Sequence, residues 1–237
     1  MASLIFGRNT VRESLTNSRV KNIYVSSSFS DKALLDIAEK EGVLVHIVSS
    51  QKLDAMVSGN HQGIVAEIER FEYSSIDEII RFSKTVERPV ILLLDGINDP
   101  GNFGAILRSC DAFQVCGVII KKHGQVMLNS TVAKTSTGAI NYVKVAMVSN
   151  LSQAMDQLKE EGFWIVSSDG SAKTNYQDLK YDFPVGLIIG SEGEGISPLL
   201  IKRSDYVVKI PMSGHVNSLN ASVATGILLS YIHIKKL

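Results

Sequence analysis

Two nearly continuous apolar runs, Val90-Ile91-Leu92-Leu93-Leu94 and Val185-Gly186-Leu187-Ile188-Ile189, constrain the fold of this chain more than any other feature. A strand with one wet face alternates apolar and polar side chains. A strand that does not alternate is buried on both faces, as in parallel sheets covered by helices. Further strand-like runs lie at Val118 to Ile120, Tyr142 to Val148, Trp164 to Ser167 and Tyr206 to Ile210. Between them fall helical patterns at Asn102 to Phe113, Ser130 to Ser136, Leu151 to Glu161 and Ser218 to Ile234. This alternation predicts an α/β fold.

The N-terminal part repeats the same grammar on a smaller scale, with strands at Ile23 to Val25, Val43 to Val48 and Gly63 to Ile68. A helix from Ser30 to Lys40 has Ser30 or Asp31 as its cap, and a short one follows near Leu53 and Met56. From Arg70 to Arg88 charged residues surround Ile76, Ile79 and Ile80, and Pro89 then precedes the strongest strand. The 237 residues suit two domains, expected at 1–72 and 89–237 with a linker over 73–88.

Lys plus Arg and Asp plus Glu both number 24, so no global cationic field exists to hold a polyanion. The charge is nevertheless uneven, at +3 over residues 1–21 and −4 over 22–75. Arg8 and Arg12 therefore make a candidate nucleic-acid-binding patch able to grip phosphates, against the plainer reading of a solvated helix face. Cys110 and Cys116 are too few ligands for structural zinc and suit a reducing compartment. The N-terminus lacks the apolar core of a secretory signal, and no apolar run reaches the roughly 18 residues of a membrane helix. A cytoplasmic protein with no bound metal and no membrane association is expected.

Chemistry is expected in loops beyond the carboxyl ends of strands. In the first such loop, Asp95 to Arg108, Asn102 reads either as a helix cap or, with Arg108 six residues on, as part of a site. The second, Gly190-Ser191-Glu192-Gly193-Glu194-Gly195, has neither the dinucleotide nor the Walker spacing. Its two carboxylates repel phosphate and favour a cationic ligand. The third, Ile210 to Ser222, crowds Ser218, Asn220 and Ser222 at the start of an apolar helix, more than capping by Ser218 or Asn217 requires. His215 has no assigned role.

Together and in this order, the three loops resemble the three motifs of the SpoU/TrmH family of SPOUT methyltransferases, over about residues 90 to 237. Phe6-Gly7-Arg8-Asn9-Thr10-Val11 and His61-Gln62-Gly63-Ile64-Val65-Ala66 are similar to the L30e-like domain of the family's large-subunit rRNA guanosine branch. The resemblance implies an L30e-like N-terminal domain, a C-terminal SPOUT domain with a deep trefoil knot, S-adenosylmethionine as cofactor, and a homodimer. It places cofactor contacts at Thr137, Gly138, Gly190, Ile210, Met212, Ser218 and Leu219, and catalytic roles at Asn102, Arg108, Glu192, Ser218 and Asn220. In the family the arginine acts on the ribose 2′-hydroxyl, oriented by the asparagine. A guanidinium stays protonated, so orientation of the hydroxyl and of a neighbouring phosphate is the role its chemistry supports.

The leading expectation is 2′-O-methylation of a guanosine in ribosomal RNA, which the N-terminal domain favours over tRNA. A catalytically silent RNA-binding module is disfavoured by the intact motif residues. A dinucleotide-dependent enzyme fails, since its glycine loop belongs after the first strand.

Overall fold

The computed structural model of the chain describes residues 3–16, 20–68 and 71–235. In the N-terminal part its elements are β1 (Ser3–Phe6), α1 (Arg8–Thr16), β2 (Val20–Ser26), α2 (Lys32–Lys40), β3 (Leu44–Val48), α3 (Ser50–Met56) and β4 (Ile64–Ile68). Then come α4 (Ile76–Ser83), β5 (Val90–Asp95), α5 (Pro100–Ala112), β6 (Gly117–Lys121), α6 (Ser130–Thr135), β7 (Val145–Val148) and α7 (Leu151–Glu160). The chain continues with β8 (Trp164–Ser168), β9 (Thr174–Asn175), β10 (Val185–Gly190), α8 (Pro198–Arg203), β11 (Tyr206–Lys209) and α9 (Ala221–Ile234). These form two compact units, Met1–Glu72 with Leu128–Tyr142, and Tyr73–Met127 with Val143–Leu237.

The first unit carries a four-stranded sheet in the order β1-β4-β2-β3, with β4 antiparallel to both neighbours and β2 parallel to β3. Asp31 caps α2 by accepting from the Leu34 N–H at 3.1 Å, and Leu34 and Ala38 make its buried stripe. The apolar strand β3 is not core. It is the sheet's edge, and Leu44 and Ile47 are 64% and 75% exposed. Residues 128–142, which the motif resemblance puts in the C-terminal domain, cluster with this unit, where α6 lies beside β1.

The second unit is built on seven parallel strands in the order β7-β6-β5-β10-β8-β11-β9. The two apolar runs are its central pair, with Val185 opposite Val90 and Gly190 opposite Asp95, and every side chain of β5 is buried. Within the span expected as a linker lies α4, whose Ile79 and Ile80 pack with Ile91, Leu93, Ile119 and Met155. Burying each such isoleucine is worth about 1.5–3 kcal/mol, enough to hold this short helix to the sheet. Ser75 and Glu78 close a capping box at its start.

From β5 the chain runs outward through β6 and β7, then crosses to build β8, β10 and β11 on the other side. The strand order thus reverses between β5 and β10, and a crevice opens beyond the carboxyl ends of that pair. Among the described residues no helix is long and apolar enough to cross a membrane.

Candidate active site

Three segments converge on that crevice. After β5, Asp99 is the cap of α5, accepting from the Asn102 N–H at 2.7 Å, and Pro100 occupies the first turn, where its missing N–H costs nothing. Asn102 is therefore not the cap, and its amide is free for other work. After β10, the loop turns back on itself through Ser191 N–H to Gly195 O at 3.2 Å and Gly195 N–H to Ser191 O at 3.0 Å. Gly190 must be glycine for this closure, since an added Cβ would lie 2.1 Å from the Gly195 carbonyl carbon. Ahead of α9 the cap is Asn220 rather than Ser218 or Asn217, with Oδ1 accepting from the N–H groups of Ser222 and Val223.

Asn102, Glu192 and Asn220, which are 90 and 28 residues apart in sequence, form one hydrogen-bonded cluster. Asn102 Nδ2 donates to Glu192 Oε1 at 2.8 Å, and Asn220 Nδ2 donates to Asn102 Oδ1 at 2.8 Å and to Glu192 Oε1. The Ala221 N–H adds a longer bond to the same oxygen at 3.4 Å. One carboxylate oxygen thus gathers three donors, while Oε2 has no partner among the described residues. Charge-assisted bonds of this kind fix a carboxylate's orientation.

Two cavities flank the 190–195 loop. The first, about 370 Å³, is lined by Gly190, Ile210, Met212, Ser218 and Leu219, with Ile189, Ala221 and Ala224 as further apolar wall. Among the described residues its charged groups are the carboxylates of Asp169, Glu192 and Glu194, and no Lys or Arg borders it. An apolar pocket rimmed only by negative charge suits a ligand with a flat apolar moiety and a positive centre. The second cavity, about 720 Å³, lies on the β5 side and is lined by Asn98, Asp99, Asn102, Lys121 and Ser197. The segment from Ser191 to Gly195 and Ala221 border both.

Asp95, 6% exposed, ties the second cavity together. Oδ1 pairs with Lys121 Nζ at 2.7 Å and Oδ2 accepts from the Ser197 N–H at 2.8 Å. Burial opposes ionisation of this carboxyl, but Lys121 and Ser197 outweigh burial and hold its pKa below the usual value. Sequence reasoning passed over Asp95, Lys121, Asp169 and Asn217. Only Asp95 left a signal, as an acid ending an otherwise apolar strand.

Other expected site residues lie elsewhere. Arg108 lines neither cavity; six positions beyond Asn102 it sits about 9 Å further along α5 and roughly 120° around it. It is exposed, and no hydrogen bond joins it to Asn102. Thr137 and Gly138 line neither cavity and belong to the first unit, where Gly138 packs tightly against Glu13. In that unit Arg12 is paired with Asp31 at 2.7 Å, whereas Arg8 is exposed with its guanidinium 5.2 Å from the Phe29 ring centre. Arg19, part of the N-terminal charge excess, falls outside the described residues.

The sequence profile of the SpoU rRNA Methylase family matches residues 89–230, and that of RNA 2′-O ribose methyltransferase substrate binding matches residues 4–74. A Bacillus subtilis (strain 168) protein provisionally assigned as the TrmH family tRNA/rRNA methyltransferase YacO is 38% identical over 237 residues, covering 98% of this chain and 95% of its own. The SpoU methyltransferase AviRb from Streptomyces viridochromogenes, solved with the cofactor AdoMet, superposes with a TM-score of 0.84 at 22% identity over 99% of this chain and 90% of its own. A crystal structure of an RNA 2′-O ribose methyltransferase superposes with a TM-score of 0.80 at 25% identity, covering 98% and 88% of the two chains.

Proposed function

The chain belongs to the SpoU rRNA methylase family, and from that premise we propose that it methylates the ribose 2′-hydroxyl of a guanosine in large-subunit ribosomal RNA. The observation that carries this reading is the Asn102–Glu192–Asn220 cluster standing between a cation-favouring cavity and a second, polar one. The methyl donor is S-adenosylmethionine, whose sulfonium makes its methyl group electrophilic. The first cavity fits it: Ile189, Ile210, Met212 and Leu219 offer apolar surface to a nucleoside, while Asp169, Glu192 and Glu194 favour the sulfonium and the ammonium.

A ribose hydroxyl is a poor nucleophile until it is positioned and its proton polarised or removed. Asn102, Asn220 and the Ala221 N–H hold Glu192 through Oε1, and Oε2 is the atom we assign to accept the hydroxyl's hydrogen bond and proton. Ser218, on the wall of the first cavity, offers a further hydroxyl. Arg108, exposed on α5, is assigned to the RNA phosphates, as is Arg8 of the N-terminal domain. Arg12 contributes less, because Asp31 already neutralises it.

The match of residues 4–74 to a substrate-binding family supports an RNA-selecting N-terminal domain. Family membership supports a deep trefoil knot in the C-terminal part and a homodimer. Cys110 and Cys116 are both buried and neither is in a disulfide, which supports a reducing cytoplasmic location.

Labelled S-adenosylmethionine, offered with ribosomal RNA and with tRNA that lack ribose methylation, tests the reading. Nuclease digestion should release 2′-O-methylguanosine from the ribosomal RNA. Label in tRNA alone would move the substrate to tRNA, and label in neither would leave a silent RNA-binding protein.

A further inference from the structure

The 370 Å³ cavity has room for one molecule of cofactor size and none for a second ligand beside it. The acceptor nucleotide must therefore stand elsewhere, yet its oxygen must come within bonding reach of the donor methyl group. The 720 Å³ cavity meets both conditions, since it is separate from the first and shares with it the wall made by Glu192 and its loop. We propose that this second cavity seats the nucleoside that is methylated, and that Lys121 donates a hydrogen bond to a carbonyl oxygen of its base. The proposal rests on the ribose-methylation reading above and assigns where and by which residues the acceptor is held.

The charges decide which part of the nucleotide enters. Among the described residues, Asp95, Asp99, Glu192 and Glu194 border the cavity against the single cation Lys121. That excess of negative charge disfavours a phosphate and leaves it outside, toward solvent. A neutral nucleoside presents hydroxyl and N–H donors to the carboxylates and a carbonyl oxygen to the ammonium. Lys121 is prepared for this contact. Its Nζ is held at 2.7 Å by the buried Asp95, which uses one of its three N–H donors, and Ser197 fixes Asp95 from the opposite side. Asp95 is thus a positioning residue, and Lys121 is the group that touches substrate. Asn98 is exposed on the wall of the cavity, where a large side chain would fill the space a base needs.

The full-length chain with an unmethylated large-subunit ribosomal RNA transcript provides the test. Lys121→Met should raise KM for RNA about tenfold with kcat little changed, the loss expected for one charged hydrogen bond. Lys121→Arg, which keeps a cationic donor, should recover part of that loss, and a rise in KM with kcat and Tm little changed is what a merely structural role for Lys121, paired with Asp95, does not predict. Asn98→Trp should cut methyl transfer about tenfold or more by occupying the seat. All three should bind S-adenosylmethionine within about twofold of wild type, because neither residue borders the first cavity. Equilibrium binding of the transcript, measured without turnover, should weaken in Lys121→Met and Asn98→Trp. Unchanged KM and unchanged RNA affinity in both variants would overturn the seat while methylation by the wild type stands. A wild type that methylates no ribose would overturn the functional reading, and RNA affinity would still report on the cavity.

Discussion

Glu192 Oε1 accepts N–H groups from Asn102, Asn220 and Ala221, so what Glu192 can offer a substrate is its other oxygen. Glu192→Gln keeps the size of the side chain, removes the charge and turns one oxygen into an amide donor. At saturating cofactor, turnover should fall by about a hundredfold or more, the usual weight of a positioned proton acceptor. Arg108 answers to a different measurement. If it grips phosphate, Arg108→Ala should weaken RNA binding for all sequences alike and lower the slope of log affinity against log salt by about one, with cofactor affinity unchanged. Asp95 adds a pH signature. Its carboxyl titrates below the ordinary 3.8, so its stabilisation is complete above that value and is lost as the pH falls through the lower, folded value. Asp95→Asn should therefore cost about 1–3 kcal/mol near neutrality by urea unfolding, and the gap between variant and wild type should close in acid below pH 3.8.

At the scale of elements, α9 owes its start and the site its geometry to one residue. Asn220 uses Oδ1 as the helix cap and Nδ2 to hold Asn102 and Glu192. Asn220→Ser keeps a capping oxygen and loses the amide donors, whereas Asn220→Ala loses both. Both variants should lose most methyl transfer, but only the alanine variant should lose about 1 kcal/mol of stability, a fall in Tm of roughly 2–4 °C by calorimetry. The same helix start shows what could be read from sequence. A polar cluster ahead of an apolar period marks the helix and the loop before it, yet the cap expected at Ser218 or Asn217 falls at Asn220, because local preference ranks the three alike. At α5 the cap expected at Asn102 falls instead at Asp99, for the same reason. Apolar runs identified β5 and β10 correctly, since burial on both faces leaves its mark in sequence. They identified β3 as a strand too, but an apolar run does not reveal that it lies at a sheet edge. The pairing of buried Asp95 with half-buried Lys121 was not legible either; the two are 26 residues apart and meet through strand pairing of β5 with β6.

For the whole molecule, the open question with the sharpest structural handle is how two copies would meet. The small residues Ser218, Ser222, Gly226 and Ser230 suggest a ridge along the last helix for a partner to pack on, but α9 begins only at Ala221, and Gly226 already faces Ser109 of α5 in its own chain, with an added Cβ lying 3.7 Å from Ser109 Oγ. Gly226→Leu would therefore disturb the α5–α9 packing within a single subunit, and its effect on association could not be separated from damage to the fold. The open face lies a few positions around the helix. Val223 is 49% and Ile234 61% exposed, and the eleven-position step from one to the other amounts to almost a whole number of turns, so the two stand on one line. Exposed apolar side chains aligned on a surface helix are the material of an interface. Val223→Asp leaves the buried positions Leu228, Leu229 and Ile232 intact while placing a charge in the proposed contact. Wild-type protein should sediment at twice the 25.8 kDa chain mass, and the variant as a folded monomer with an unchanged far-ultraviolet dichroism spectrum. A variant that stays dimeric would remove α9 from the interface, and a wild type at 25.8 kDa would leave RNA recognition to a single chain.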